Sequence, residues 1–497
     1  MRLAAAGLTW RELPVEERAA RLGELLAHGH RLRMSFAEPA ADRVALRYVL
    51  TDPAGHWVGL SASVAAGSDV ESLVGALPEV HWDEREMQDL AGVRLREHPD
   101  PRPLLLPDGY EGPPPLAPQL PPQARAPWRP RLLFHHGIVH VPVGPVHAGI
   151  IETGHFMFSA MGETVLQMDL RLGWDHRGLE AGLAGRHLAD AARVVERTCG
   201  NCSASHQEAL AQAVEALLGW SVDQETWRRR RLILELERVY NHVSDLSQLA
   251  TGVGLAVLAQ QGLQLKEKAL RLNAAALGHR YLFGTIRPGW ARPSRDASGL
   301  GRELRRLAAD SARWADHLFS NVGFRDRTQG AGVVAQGPAA ALGGVGPVAR
   351  ASGVRTDVRA ERPVGAYEDV RLGPVTRTDG DVLARAEVRR EELAKAFELA
   401  LGCLAGAAAS GTPRGAGEAP PAMDPLASGC GVGMTESPRG ATIHYLSAAR
   451  GRIVRYHMRT ASFTNWPLIM VAAQDNPIGD FPLINKSFEL CYGCSDR

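Results

Sequence analysis

The chain has 497 residues, 45% of them hydrophobic and 22% charged, with 56 basic side chains against 55 acidic ones. That apolar share excludes a disordered or collagen-like chain, and a net charge of +1 argues against a polyanion-binding protein, so no nucleic-acid partner is expected. At about 150 residues per domain the length allows about three folding units, or one large and one small. No stretch approaches the ~18–20 apolar residues of a spanning helix, and Met1 to Leu8 lack the apolar centre of a secretory signal, so the chain is expected to be soluble by itself.

In chain order, Val44 to Leu50 and Trp57 to Val64 read as strands around the turn Asp52-Pro53-Ala54-Gly55. A helix follows, with Asp83 as N-cap ahead of Glu84, Arg85, Glu86, Met87 and Leu90. Between Pro99 and Pro130 stand 12 of the 32 prolines, which predicts a semi-rigid strap or linker. Leu166, Met168, Leu170 and Leu172 alternate with polar residues, the period of a half-buried strand. Arg186–Leu218, Gln224–Leu249, Leu258–Ala276, Arg302–Phe319 and Val382–Leu404 carry helical apolar spacing, interrupted at Gly252-Val253-Gly254 and at Gly330–Gly346. A Pro/Gly-rich loop over Gly411–Met434 precedes two strands that flank Arg450-Gly451-Arg452. The fold class is α+β, with a small N-terminal α/β domain over 1–112 and a Pro-rich linker over 113–130. A large, mainly α-helical domain with β pieces at its ends then fills 131–497.

Six cysteines are too few for a disulfide scaffold, but four form two CxxC pairs, Cys199/Cys202 and Cys491/Cys494. Two residues between cysteines allow a tight turn that brings both sulfurs to one metal, and two such pairs make an S₄ site for a soft cation. On spacing alone, structural zinc is the commoner use. Zinc ribbons, however, place their pairs about 15–20 residues apart, whereas Cys202 and Cys491 are separated by 289 positions. A metal closing so long a loop ties the two ends of a domain together. Cys403 and Cys430 lack such a context and read as buried thiols.

Arg197-Thr198-Cys199-Gly200-Asn201-Cys202 with His206 four residues on, together with Cys491-Tyr492-Gly493-Cys494-Ser495-Asp496-Arg497, resembles the large subunit of [NiFe] hydrogenases. The ending is most like the membrane-associated, H₂-evolving group, that of formate hydrogenlyase and the energy-converting hydrogenases. Val80-His81-Trp82-Asp83-Glu84-Arg85-Glu86 onward resembles the 30-kDa subunit of complex I, and the rest its 49-kDa subunit, as in a C–D fusion. The resemblance implies that Cys199, Cys202, Cys491 and Cys494 bind nickel, with Cys202 and Cys494 bridging to an iron that carries CO and cyanide. Complex I keeps this fold without the thiolate set, so the cysteines favour the hydrogenase over a quinone-linked subunit or a Zn(Cys)₄ scaffold.

By the same resemblance His206 would hydrogen-bond a bridging sulfur, and Glu152 would relay protons as a buried carboxylate of raised pKa. Arg439, in Pro438-Arg439-Gly440, would overhang the open side of the metals. Glu180 would offer its carboxylate to a Mg²⁺ or similar site, although Arg497 stands where uptake hydrogenases carry histidine. Departures from the pattern are Glu489-Leu490 in place of Asp-Pro, and Gly252 at the position of an aspartate about ten residues after His242. No remaining cysteine set can hold a cluster, so the partners implied are a B-type Fe–S small subunit with a [4Fe–4S] centre and a ferredoxin-like electron-transfer subunit. Hydrophobic membrane subunits would dock the chain at the cytoplasmic face of the membrane. Formate dehydrogenase or CO dehydrogenase would be the electron donor.

Overall fold

The computed structural model describes residues 8–122, 127–148, 151–363, 365–409 and 419–497. Near the N-terminus, β1 (Trp10–Glu12), β2 (Arg31–Pro39), β3 (Arg43–Thr51) and β4 (Trp57–Ala65) form a sheet ordered β1-β4-β3-β2, antiparallel except for β1 beside β4. The turn over Asp52–Gly55 closes on the Asp52 side chain, which accepts from the backbone N–H of Ala54 and His56. Leu46, Leu50 and Leu60 pack on one side of this sheet against α1 (Arg18–Ala27) and Met87. A short parallel pair, β5 (Asp69–Glu71) and β6 (Arg94–Arg96), brackets α2 (His81–Ala91).

Helix α2 starts two residues before Asp83, because the turn Pro78–Val80 runs straight into it. Asp83 is therefore not the N-cap. It is buried in the first turn, 3.4 Å from Arg459 Nη2. Helix α2 serves two cores, with Met87 and Ala91 in the N-terminal one and Trp82 and Leu90 in the large one. The proline strap closes on the same helix. Asp89 Oδ2 accepts from the N–H groups of Leu104, Leu105 and Leu106, whose side chains enter the large core. Residues 104–106 thus belong physically to the larger body.

That body opens with the meander β7 (Ile138–Val143), β8 (His155–Met161) and β9 (Thr164–Arg171). After α3 (Leu179–Leu183), the helix expected over Arg186–Leu218 is two helices, α4 (Leu188–Val195) and α5 (Ser203–Leu218). The interruption carries Cys199-Gly200-Asn201-Cys202. Long helices follow, α6 (Gln224–Gly252), capped by the Asp223 side chain on Thr226 N–H, α7 (Ala256–Leu277) and α8 (Ala297–Ser320), with the small pair β10 (Ile286–Arg287) and β11 (Trp290–Ala291) between α7 and α8. The short helices α9 (Val322–Thr328), α10 (Gln336–Ala341), α11 (Gly346–Ala351) and α12 (Val358–Glu361) lead to α13 (Val382–Ala409), which packs along α6.

The chain then forms an antiparallel sheet of β12 (Gly429–Ser437), β13 (Gly440–Ala449) and β14 (Arg452–Arg459), so β12 replaces part of the loop expected up to Met434. Its glycines are the physical reason. A Cβ at Gly431 or Gly433 would stand 2.0 Å from the Ala213 or Ala209 carbonyl, so only glycine lets α5 lie directly on this strand. On its other side this sheet packs Val432, Ile443 and Tyr445 against Met34, Phe36 and Val49 of the N-terminal sheet. Helices α14 (Ala461–Ala473), α15 (Phe481–Phe488) and α16 (Tyr492–Asp496) finish the fold. No described helix is long and apolar enough to cross a membrane.

Candidate metal centre

The two CxxC loops meet. Sγ atoms of Cys199, Cys491 and Cys494 lie within 4.8 Å of one another, and Cys202 packs with them in one cluster. Cys491 is half-buried and the other three are buried. Each loop turns its own N–H onto sulfur, Asn201 N–H to Cys199 Sγ and Cys494 N–H to Cys491 Sγ, both at 3.3 Å. Hydrogen bonds from Cys202, Cys491 and Cys494 hold Cys199 well below the ordinary thiol range, and the same bonds to Cys199 push the other three up. Burial makes the set untenable as four bare charges, so it suits a soft cation that takes the place of their protons.

His206 lies one turn into α5, its Nε2 3.6 Å from Cys494 Sγ and its Nδ1 3.0 Å from His444 Nε2. Burial lowers its pKa to about 4, so the ring is neutral and bonds sulfur without adding charge. Glu152 Oε2 accepts from Gly493 N–H at 2.9 Å and from the Cys491 thiol at 3.5 Å. Its side chain is exposed, so the burial expected of it is not what the fold provides.

Arg439 occupies the tight turn between β12 and β13 and is 4% exposed. Its two terminal nitrogens donate to the two oxygens of Asp245, at 2.7 and 2.9 Å, and Glu489 Oε2 is 3.8 Å away. Burial opposes its charge, but Asp245 and Glu489 outweigh that and keep the guanidinium charged. Arg439 in turn draws the pKa of Asp245 down to about 2 against its burial. Burial and Asp245 push Glu489 up to about 7. Asp245 escaped the sequence reading, which looked for an acid at Gly252. That position faces Leu483 and Lys486, whereas Asp245 lies one turn after His242 on α6.

Residues 253–414 match the family described as the respiratory-chain NADH dehydrogenase 49 Kd subunit, 22–125 the 30 Kd subunit, and 177–251 the nickel-dependent hydrogenases. The chain is 30% identical over 362 residues to the carbon monoxide-induced hydrogenase of Rhodospirillum rubrum, an alignment covering 72% of this chain and 99% of that one. The chain belongs to the nickel-dependent hydrogenase family. It is also 29% identical over 465 residues to hydrogenase-4 component G of Escherichia coli (strain K12), covering 89% of this chain and 78% of that one. Formate hydrogenlyase subunit 5 of the same organism is 28% identical over 478 residues, with 91% and 82% covered. The archaeal membrane-bound sulfane sulfur reductase complex contains a chain of the same fold, with TM-score 0.66 and 23% identity over 73% of this chain and 99% of that one.

The hydrogenase family implies a nickel–iron centre, and the four-cysteine cluster fits it. Further residues of the hydrogenase hold that cluster in place, and motif reading did not single them out. Arg177 donates to the Arg197 and Thr198 carbonyls in the first CxxC loop and to the Gly493 carbonyl in the second. Glu237 accepts from Ala204 and Ser205 N–H at the start of α5, just after Cys202. Tyr240 and Asn241 donate to the Asn201 carbonyl. Each is an ordinary polar residue until two distant segments meet.

The residue expected to hold Mg²⁺ is differently engaged. Glu180 Oε1 accepts from Met458 N–H at 2.8 Å and Arg497 Nη1 at 3.1 Å, and Oε2 from Arg455 Nη1 at 2.9 Å and His457 Nδ1 at 3.2 Å. Oxygens of Glu86 and Glu180 and a nitrogen of His457 do lie within 4.8 Å of one another, a spacing a metal can use. These same atoms already face two guanidinium groups, and His457 Nδ1 is spent as a donor to Glu180. The set does not fit a divalent cation.

Proposed function

We propose that this chain is the catalytic subunit of a membrane-associated [NiFe] hydrogenase, running 2H⁺ + 2e⁻ ⇌ H₂. The observation that carries the reading is the convergence of four sulfurs from two loops 289 positions apart at one largely buried point. Cys199, Cys202, Cys491 and Cys494 would hold the nickel, with Cys202 and Cys494 shared with iron. When bound, the nickel–iron group with its CO and cyanide ligands supplies the two-electron chemistry.

The chain's own residues manage protons and charge around it. Cys491 Sγ has a carboxylate oxygen of Glu152 3.5 Å away, so a proton on sulfur passes to Glu152 Oε2 and from there, through an exposed side chain, outward. Arg439, locked on Asp245, places a fixed positive charge beside the thiols. Neutral His206 tempers Cys494 by a hydrogen bond. Glu489, close to Arg439, tunes that charge.

Electrons come from outside this chain, since Cys403 and Cys430, the other two cysteines, are free thiols outside the four-cysteine group. We therefore assign it a small subunit of the complex I B type carrying a [4Fe–4S] centre, a ferredoxin-like subunit, and hydrophobic subunits at the cytoplasmic face of the membrane. Relatives named as a component, a subunit and part of a membrane complex support an assembly of this kind. Formate dehydrogenase or CO dehydrogenase is the donor we propose. Metal analysis of the purified complex tests the reading. Stoichiometric nickel and iron with infrared bands of CO and cyanide support it, and zinc alone overturns it. Cys494→Ala should abolish H₂ turnover, whereas a quinone-linked subunit retains its activity.

A further inference from the structure

The ion cluster around Glu180 joins three parts of the chain that lie far apart in sequence. Glu86 comes from α2 of the N-terminal domain, Glu180 from α3, and Arg497 follows α16, three residues beyond Cys494. Every nitrogen of the Arg497 guanidinium is engaged. Nη2 donates to Glu86 Oε2, Nη1 to Glu180 Oε1 and the Met458 carbonyl, and Nε to the Ser495 carbonyl. The guanidinium also lies over the Phe463 ring, 4.7 Å from its centroid. Arg497, Glu86 and Glu180 are 2%, 4% and 6% exposed.

Charge balance explains why this cluster is stable without a metal. Two carboxylates, Glu86 and Glu180, face two guanidiniums, Arg455 and Arg497, while His457 donates from Nδ1. Glu180 accepts four hydrogen bonds, the full lone-pair capacity of a carboxylate. A divalent cation entering here would break those bonds and add two charges beside two buried guanidiniums, a repulsion that low dielectric magnifies.

The cluster also anchors the second ligand loop. The backbone N–H of Arg497 donates to the Gly493 carbonyl and its own carbonyl accepts from Arg177 N–H, so a fixed Arg497 fixes the turn that bears Cys494. Thr460 Oγ1 supports the same turn through the Cys494 carbonyl. We propose that Glu86 is a positioning residue of the thiol centre, supplied across the domain interface. By holding Arg497 in the seat between Glu86 and Glu180, where no divalent cation binds, it keeps Cys491 and Cys494 aimed at Cys199 and Cys202. The N-terminal domain is then part of the metal site's frame as well as a neighbour of it. This inference rests on the metal-centre reading above.

The test uses the purified complex with Glu86→Gln, Glu86→Ala and Glu86→Asp, read by nickel content and by amide hydrogen exchange over 491–497. Nickel retention should fall about 10–100-fold in the Gln and Ala variants, as for other supporting residues of metal ligands, with faster exchange in 491–497 and partial recovery in Asp. If Glu86→Ala does not fold, the Gln and Asp variants decide. Arg497→Ala leaves two carboxylates facing each other, so millimolar MgCl₂ should raise its melting temperature by about 2–4 °C and leave the wild type unchanged. Wild-type nickel retention and exchange rates in Glu86→Gln overturn the positioning role. One Mg²⁺ per chain surviving in the wild type, or a melting temperature that chelation lowers without nickel loss, overturns the arginine seat. Absence of nickel from the wild type overturns the hydrogenase reading alone, because exchange in 491–497 still reports the clamp.

Discussion

Two buried arginines support the thiol cluster, and they are held in different ways. Arg439 takes both oxygens of Asp245, one to each terminal nitrogen, while Oδ2 also accepts from Arg389 Nε at 3.2 Å. Arg497 is divided between Glu86 on α2 and Glu180 on α3. A bidentate pair fixes direction, which suits a charge that must point at a reaction site. A shared guanidinium ties segments together, which suits a residue that anchors a ligand loop.

Removing the bidentate partner should therefore have the largest effect. Asp245→Ala strands two buried guanidiniums, Arg439 and Arg389, and should destabilise by about 3–5 kcal/mol, checked by denaturant unfolding, and a fall no larger than that of Glu86→Ala would erase the contrast. On the Arg497 side, where Gly493 holds Glu152, Glu152→Gln should slow H⁺/D₂ exchange by about 10²–10⁴-fold with nickel retained. Arg439→Lys should lower H₂ turnover by about 10–100-fold without loss of nickel, since an ammonium cannot engage both Asp245 oxygens and keep the same direction.

The smallest effects are in pH dependence. Asp245 titrates near 2, below the ordinary carboxylate value, so its contribution to stability is complete above about pH 4 and is lost as pH falls through 2. Behind Arg439 and Asp245 a chain of polar contacts runs on through His242, Glu392 and Arg350 to Glu436. Burial and then Asp357 push Glu436 up to about 7. Its sign is opposite. That contribution is complete below about pH 4 and is lost as pH rises through 7. Glu436→Gln should flatten the decline in melting temperature between about pH 4 and pH 7, whereas Asp245→Asn should flatten only the acid limb.

Much of this was legible beforehand, for reasons that differ residue by residue. Helices α6, α7, α8 and α13 carry their own apolar periodicity, and their cores followed it. The CxxC pairs have a spacing that restricts their chemistry, and His206 and Arg439 stand in segments to which the family resemblance points. Strand β12 is hidden in the sequence because its glycines signal a loop locally, and only the helix lying against it explains them. The segment Arg186–Leu218 reads as one helix because alanine and leucine on both sides mask the loop between them. Asp245 carries no signal of its own because its contact with Arg439 spans 194 positions, invisible to periodicity.

The sequence by itself determined which atoms are available, four soft thiols and a set of arginines and carboxylates, because side-chain chemistry is a local property. It also determined the helical and extended segments, through their apolar period. Tertiary structure alone decided which of those charges face each other. It left Glu152 exposed, gave Asp245 to Arg439, and placed Arg497 where a cation had been expected. Such pairings depend on burial and distance, and both arise only when segments hundreds of residues apart are packed together.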